Sequence, residues 1–178
     1  MQKRMKINGM DKSETEKLLM RAQAGVFCTI GQDGVPYGVP VQFVYEGGSI
    51  YFHCLVAGEK LDNMKENGKV CFTAYEMGGV WYPDGMEYMC GLDTEYKSAI
   101  VRGSASVVRD DGDKARILKC IVQKYAPGLV NMPMKASSYA KTAVVEIRPH
   151  SVTGKHGDTV PAGSKYIRAV GKQGEADG

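Results

Sequence analysis

The residues best suited to chemistry in this chain concentrate in one stretch, residues 49–64, which reads Ser-Ile-Tyr-Phe-His-Cys-Leu-Val-Ala-Gly-Glu-Lys-Leu-Asp-Asn-Met. Its first half has strand composition. Gly58 can take backbone conformations closed to other residues, and Lys60 and Asn63 follow in what reads as the first turn of a helix. A helix start offers unpaired N–H groups and a partial positive charge, so an anion beside Lys60 is held by dipole and ammonium together. The guest that fits is a phosphate. Strand-loop-helix junctions with a glycine and a lysine are common and most bind nothing, so the stretch takes its meaning from its surroundings. Two readings stay open for His53 within it: an ordinary histidine on a strand rim, or a group that donates a hydrogen bond or proton to a ligand.

The rest of the composition excludes several function classes. With 178 residues the chain has the length of one domain, and such a length buries a core without help from metal or disulfide. Lys plus Arg number 23 against 20 Asp plus Glu, scattered rather than striped, which argues against a nucleic-acid binder. No apolar run approaches a membrane span and the N-terminus lacks a signal-peptide core, so the expected location is the cytoplasm. Cys28, Cys54, Cys71, Cys90 and Cys120 form no C-x-x-C pair, and His53, His150 and His156 lack metal-ligand spacing. Neither a disulfide framework nor a metal site is expected.

Upstream of this stretch, residues 11–14 (Asp-Lys-Ser-Glu) read as a capped helix start, with Leu18, Leu19 and Ala22 on its apolar face and Gly25 placed to end it. A strand over 26–30, a turn over 31–34 and a single strand over 35–45 follow, and the glycines of 46–48 turn the chain into residue 49. Pro36 and Pro40 cannot donate to a ladder, which places that strand at an edge or on a bulge. Together these predict an antiparallel meander. A helix over 58–67 stops at Gly68, and a strand runs over 69–74. Residues 75–95, where five glycines and prolines alternate with Trp81, aromatics and methionines, read as a loop covering a flat ligand, a partner subunit, or nothing but the core. A strand over 96–109 with a bend or bulge at Gly103, a helix over 114–125 capped from Asp110, and a last strand over 142–149 complete the pattern. The expected organisation is one domain over 1–155 and a Gly- and charge-rich C-terminal extension over 156–178, with 171–178 disordered. About six strands, never alternating with crossover helices, predict an α+β fold on a small antiparallel barrel and exclude a Rossmann site.

Several stretches taken together resemble one family: residues 24–30 (Ala-Gly-Val-Phe-Cys-Thr-Ile), 34–41 (Gly-Val-Pro-Tyr-Gly-Val-Pro-Val), 50–54 (Ile-Tyr-Phe-His-Cys) with Gly58-Glu-Lys and Asp62-Asn, 70–74 (Val-Cys-Phe-Thr-Ala), 96–103 (Tyr-Lys-Ser-Ala-Ile-Val-Arg-Gly), and Val144-Val-Glu-Ile with Thr153-Gly-Lys. Their order and spacing are similar to those of the split-barrel flavoproteins related to pyridoxamine 5′-phosphate oxidase, and within these to the 5-nitroimidazole-resistance proteins. The resemblance implies a six-stranded antiparallel split β-barrel with flanking helices, forming a homodimer with FMN at the subunit interface and leaving FAD open as the alternative flavin. Carried over by position, Val39, Pro40 and Val41 border the flavin ring, Phe52 and His53 lie along the ribityl chain and ring edge, and Gly58, Lys60 and Asn63 hold the phosphate. Ser98 reaches the ring or phosphate from the next strand. An apolar slot of Val39, Val41, Phe52 and Trp81 suits the flat ring. The family's arginine-lysine pair is Glu59-Lys60 here, a departure that weakens the anion site and speaks against oxidation of pyridoxamine phosphate itself. The expected activity is that of a nitroreductase-like, FMN-dependent oxidoreductase acting on a small aromatic or nitro-compound, with His53 as its catalytic residue at the substrate side of the flavin. A non-enzymatic flavin carrier or sensor, or a haem or deazaflavin binder on the same fold, is the competing expectation.

Overall fold

The capping signal at Asp11 does produce a helix. In the computed structural model, which describes residues 7–157, 160 and 162–168, a short strand β1 (Gly9–Met10) leads into α1 (Lys12–Arg21). Asp11 accepts the Glu14 N–H at 2.7 Å while the Glu14 carboxylate accepts the Asp11 N–H at 3.2 Å, a reciprocal box that satisfies both donors. The helix ends at Ala22, not at Gly25 as its sequence predicts. Gly25 opens the next strand instead, and the Phe72 ring fills the space a Cβ would need there.

That strand, β2 (Gly25–Ile30), forms a hairpin with β3 (Pro36–Val41). The expected single strand over 35–45 is broken at Gln42 and Phe43, so β4 (Val44–Glu46) is separate and pairs with β5 (Ser49–Leu55) through Gly47 and Gly48, at φ 57° and 82°. Two consecutive left-handed residues are what a tight hairpin turn requires. The expected meander therefore fails at one point: β3, the first part of the expected strand, is not paired with β5. After α2 (Glu59–Glu66) the strand β6 (Lys69–Tyr82) runs far beyond its predicted end, and β7 (Asp93–Val107) starts earlier than predicted. Residues 75–95 are thus mostly a paired arm and not a loop. α3 (Asp111–Tyr125), capped by Asp110, a short α4 (Ala136–Ala140), β8 (Thr142–His156) and β9 (Lys165–Arg168) follow. Gly103 marks the register shift between β7 and β8. Residues 171–178 lie outside the described residues.

The strands form one antiparallel sheet in the order β3-β2-β6-β7-β8-β5-β4, with β1 added to β8 and β9 to β6. Nine strands among the described residues replace the six expected, and the sheet curls into a split barrel without closing. Its inside is the core, in which Phe27, Phe43, Phe52 and Phe72 are all fully buried. Phe27 packs on Phe52 with ring centroids 4.8 Å apart, and Phe43 meets Phe72 edge-on at the same separation. Outside the barrel, Ile117, Leu118 and Ile121 of α3 cover Val44 and Val144. The C-terminal end of α3 also ties down the strand break. The Tyr125 hydroxyl accepts the Phe43 N–H at 2.9 Å, and Lys124 donates to the carbonyls of Ala22 and Phe43 at 2.7 and 3.0 Å. Among the described residues no helix is long and apolar enough to cross a membrane.

Candidate functional site

The broken strand creates the candidate site. Among the described residues β3 pairs only with β2, and β4 accompanies β5 no further than Tyr51, so Phe52 to Leu55 pair only with β8. Two sheet edges therefore start together at Gln42–Phe43 and part from there, leaving a split. The Phe27–Phe52 contact floors it. Val39 and Val41 stand half-buried against the core on one side, and Pro40 is exposed opposite Val26. Backbone N–H and C=O groups along both edges alternate between pairing inward and facing the split.

At the far end of β5, α2 begins without a side-chain cap. The Gly58 carbonyl accepts from Leu61 and Asp62 at 2.9 and 3.2 Å, while the amides of Glu59 and Lys60 precede any intrahelical acceptor. Gly58, at φ 134°, has nothing within 4 Å of the position a Cβ would take, so the helix start faces open space. Lys60 is half-buried and makes no ion pair among the described residues; Asp62, two residues on and facing away from it round the helix, is held by Lys65 at 2.8 Å. Its charge reaches β5: burial pushes the Cys54 thiol up, and Lys60 offsets only part of that rise. Glu59 is exposed beside it. An unpaired ammonium, two free amides and an open approach are groups that can hold an anion, and the half-buried valines of β3 offer an apolar wall. These residues fit a flat molecule with a phosphate tail.

Not every residue expected here stands where the sequence reading put it. Phe52 is fully buried, so it can border a ligand only through its backbone. His53 points the other way and is exposed, whereas Cys54 turns toward the core as expected of alternate strand residues. Asn63 is 4 % exposed and donates to the buried Thr29 hydroxyl at 3.0 Å, which makes it the anchor of α2 on β2 and removes it from the phosphate contacts. Trp81 lies in the β6 arm beyond the end of β2, opposite Asp93 and Tyr166, and takes no part in the slot. Ser98 is not on the next strand either: β8 intervenes between β7 and β5. It pairs with Lys155, while Phe52 pairs with Val145, roughly 30 Å away along β8 at the usual rise of a strand. Thr29, Lys124 and Tyr125 were missed. Nothing local in the sequence marks them, since their partners lie far along the chain.

A groove of about 580 Å³ between α1 and β8, lined by Met10, Thr15, Tyr45, Pro149 and Thr153, is roomier than its chemistry warrants. It holds none of the expected site residues. Among the described residues no three His, Cys, Asp or Glu side chains are grouped to hold a metal ion.

Known structures share this architecture. The flavocytochrome Anf3 from Azotobacter vinelandii superposes with a TM-score of 0.79 at 23% identity, covering 99% of this chain and 87% of that one. An FAD and haem binding protein from Mycobacterium smegmatis gives 0.75 at 16% identity over 88% and 82%. A candidate 5-nitroimidazole antibiotic resistance protein from Bacteroides thetaiotaomicron gives 0.72 at 23% identity over 84% and 86%. These likenesses establish the fold. Comparison with curated proteins finds no match. The sequence matches the family described as pyridoxamine 5′-phosphate oxidase over residues 11–156, from the capped start of α1 to the end of β8, and the chain belongs to that family.

Proposed function

We propose that this chain binds FMN in the split, with the phosphate at the start of α2 and the ring along β3, and that it acts as an oxidoreductase on a small aromatic or nitro-compound. The observation that carries this reading is Lys60, half-buried and unpaired among the described residues beside an uncapped helix start. Val39, Pro40, Val41 and the backbone of Phe52 supply the ring wall, and Gly58 leaves room for the phosphate. When bound, FMN supplies hydride or electron transfer; the protein supplies orientation and hydrogen bonds. His53, exposed at the rim of β5, is the group free to donate to a substrate.

The same reading includes a homodimer. The outer face of β2, β6 and β7 exposes Val26, Tyr75, Met77 and Ile100, a run of apolar side chains that a second copy would cover. Ser98 lies on β7 between Tyr75 and Lys155, so it serves a flavin only by reaching the split of that second copy. The five cysteines are free, in keeping with a reducing cytoplasm.

A second reading is favoured by the exposed ring of His53 and by relatives whose names include haem: a flavin carrier or haem protein without turnover. Absorbance and mass of the ligand extracted from purified protein separate these. Flavin bands and the mass of FMN support the proposal, FAD or haem supports the second reading, and a colourless protein that takes up no FMN overturns the first. With FMN bound, His53→Ala then separates enzyme from carrier: loss of acceptor reduction supports the first, unchanged reduction of every acceptor the second.

A further inference from the structure

Cys28 on β2 and Cys71 on β6 stand directly opposite one another in the sheet register. Both are half-buried, and the Cys28 thiol is pushed up by burial and then by the neighbouring Cys71. Opposed residues of an antiparallel pair share a face and have Cα atoms ~4.5–5.5 Å apart, within the ~4.4–6.8 Å that a disulfide spans. Among the described residues the other cysteines are not so placed: Cys54 faces Ala143, Cys90 lies at the exposed tip between β6 and β7, and Cys120 is on α3.

The surroundings of the pair are chemically one-sided. Both thiols line a groove of about 490 Å³ on the outer face of the sheet, together with Lys69, Arg102 and His150. Arg102 is the register partner of Cys71 on the next strand. No carboxylate lines the groove, and neither Lys69 nor Arg102 makes an ion pair among the described residues. Ile30, Pro36 and Val70 form the apolar remainder. The groove reaches from beside the near end of the apolar run, at Val26 and Ile100, to Lys69 and Val70 at the start of β6.

We propose that Cys28 and Cys71 are a dithiol that is oxidised to an intramolecular disulfide by exchange with a small anionic disulfide, of which glutathione disulfide is the type, drawn in by Lys69 and Arg102. Cys71, beside Arg102, attacks first as the thiolate. Its sulfur bonds to one sulfur of the incoming disulfide, whose S–S bond breaks and releases a thiolate that takes up the proton Cys71 lost. Cys28 then loses its proton and attacks the Cys71 sulfur of the mixed disulfide, and the second small thiolate leaves and is protonated in turn. Two protein thiols are oxidised by two electrons and the small disulfide is reduced to two thiols. Opposed Cβ atoms normally sit farther apart than a disulfide holds them, so the link pinches β2 toward β6 and is readily reduced again.

The test uses the full chain under native conditions with glutathione disulfide as the probe, quenched with N-ethylmaleimide and mapped by mass spectrometry. The expected product is a Cys28–Cys71 linked peptide that dithiothreitol reverses, while Cys90 carries only a glutathione adduct. Cys28→Ser should stop the reaction at a stable adduct on Cys71, and Arg102→Glu should slow the linkage several-fold without unfolding an exposed strand position. Full maleimide labelling of Cys28 and Cys71 alongside a modified Cys90 would overturn the proposal. So would linkages scattered over all five cysteines, or an Arg102→Glu protein that cross-links at the wild-type rate.

Discussion

The Asn63 amide on α2 donates to the Thr29 hydroxyl on β2 at 3.0 Å, and both residues are buried. Lys60 stands one turn earlier on the same side of the helix, so the bond that seats Asn63 also fixes where the lysine stem can lie. A hydrogen bond inside the barrel wall thus sets the position of a charge at its rim.

Asn63→Ala leaves the Thr29 hydroxyl buried without its donor, and the expected cost is ~1–3 kcal/mol, read as a lower urea midpoint. Replacing both partners with apolar residues, Thr29→Val with Asn63→Leu, should cost less than the two single changes summed. Additive losses would mean that the pair does not act as a unit.

Lys60→Ala should weaken FMN by roughly one to two decades, the worth of one charge-assisted contact of ~1.5–3 kcal/mol, and leave riboflavin binding unchanged. Titration of both ligands by fluorescence reads the difference. Equal losses for the two would take Lys60 away from the phosphate.

Acid stability has an identifiable contributor on the outer face of the sheet. Burial would raise the Glu146 carboxyl, but bonds from Arg148 at 2.9 Å and Tyr51 at 3.0 Å outweigh it and hold the group below the ordinary glutamate value. A carboxyl whose value is lower in the folded state stabilises the fold above its unfolded value of ~4.3, and that contribution fades as pH falls through the folded value. Urea midpoints measured from pH 7 downward should therefore fall below about pH 4.3, and the fall should be shallower in Glu146→Gln.

Ile100→Glu places a charge on the exposed face proposed to meet a second copy, between Tyr75 and the thiol groove. The wild-type chain should sediment as a dimer at micromolar concentration and this variant as a monomer. A monomeric wild type would remove the second copy that Ser98 needs.

Much of this architecture is legible from local signals, and the misses share one cause. The Asp11 box, the Asp110 cap, the Gly47–Gly48 turn and the Gly103 register shift are each decided by residues adjacent in sequence. The break at Gln42–Phe43 carries no glycine or proline and is fixed from Lys124 and Tyr125, on a helix formed much later in the chain. The arm formed by β6 and β7 looks like loop because Gly78 and Gly79 interrupt it, yet a register shift between Met77 and Val80 absorbs them and the pairing resumes. At the candidate site, orientation decides which of the expected residues share the split. Asn63 faces inward, and Ser98 sits too far along its strand, facts set by helix phase and sheet order.

A barrel left unsealed exposes two strand borders to any neighbouring chain, and such borders template edge-to-edge polymerisation. On β3 the prolines at 36 and 40 withhold N–H groups from that border, so a foreign strand finds gaps where it needs donors. The seam can then stay open to a small guest without recruiting another molecule's backbone, and replacing both prolines with β-formers such as valine would trade that tolerance for fibrous aggregation.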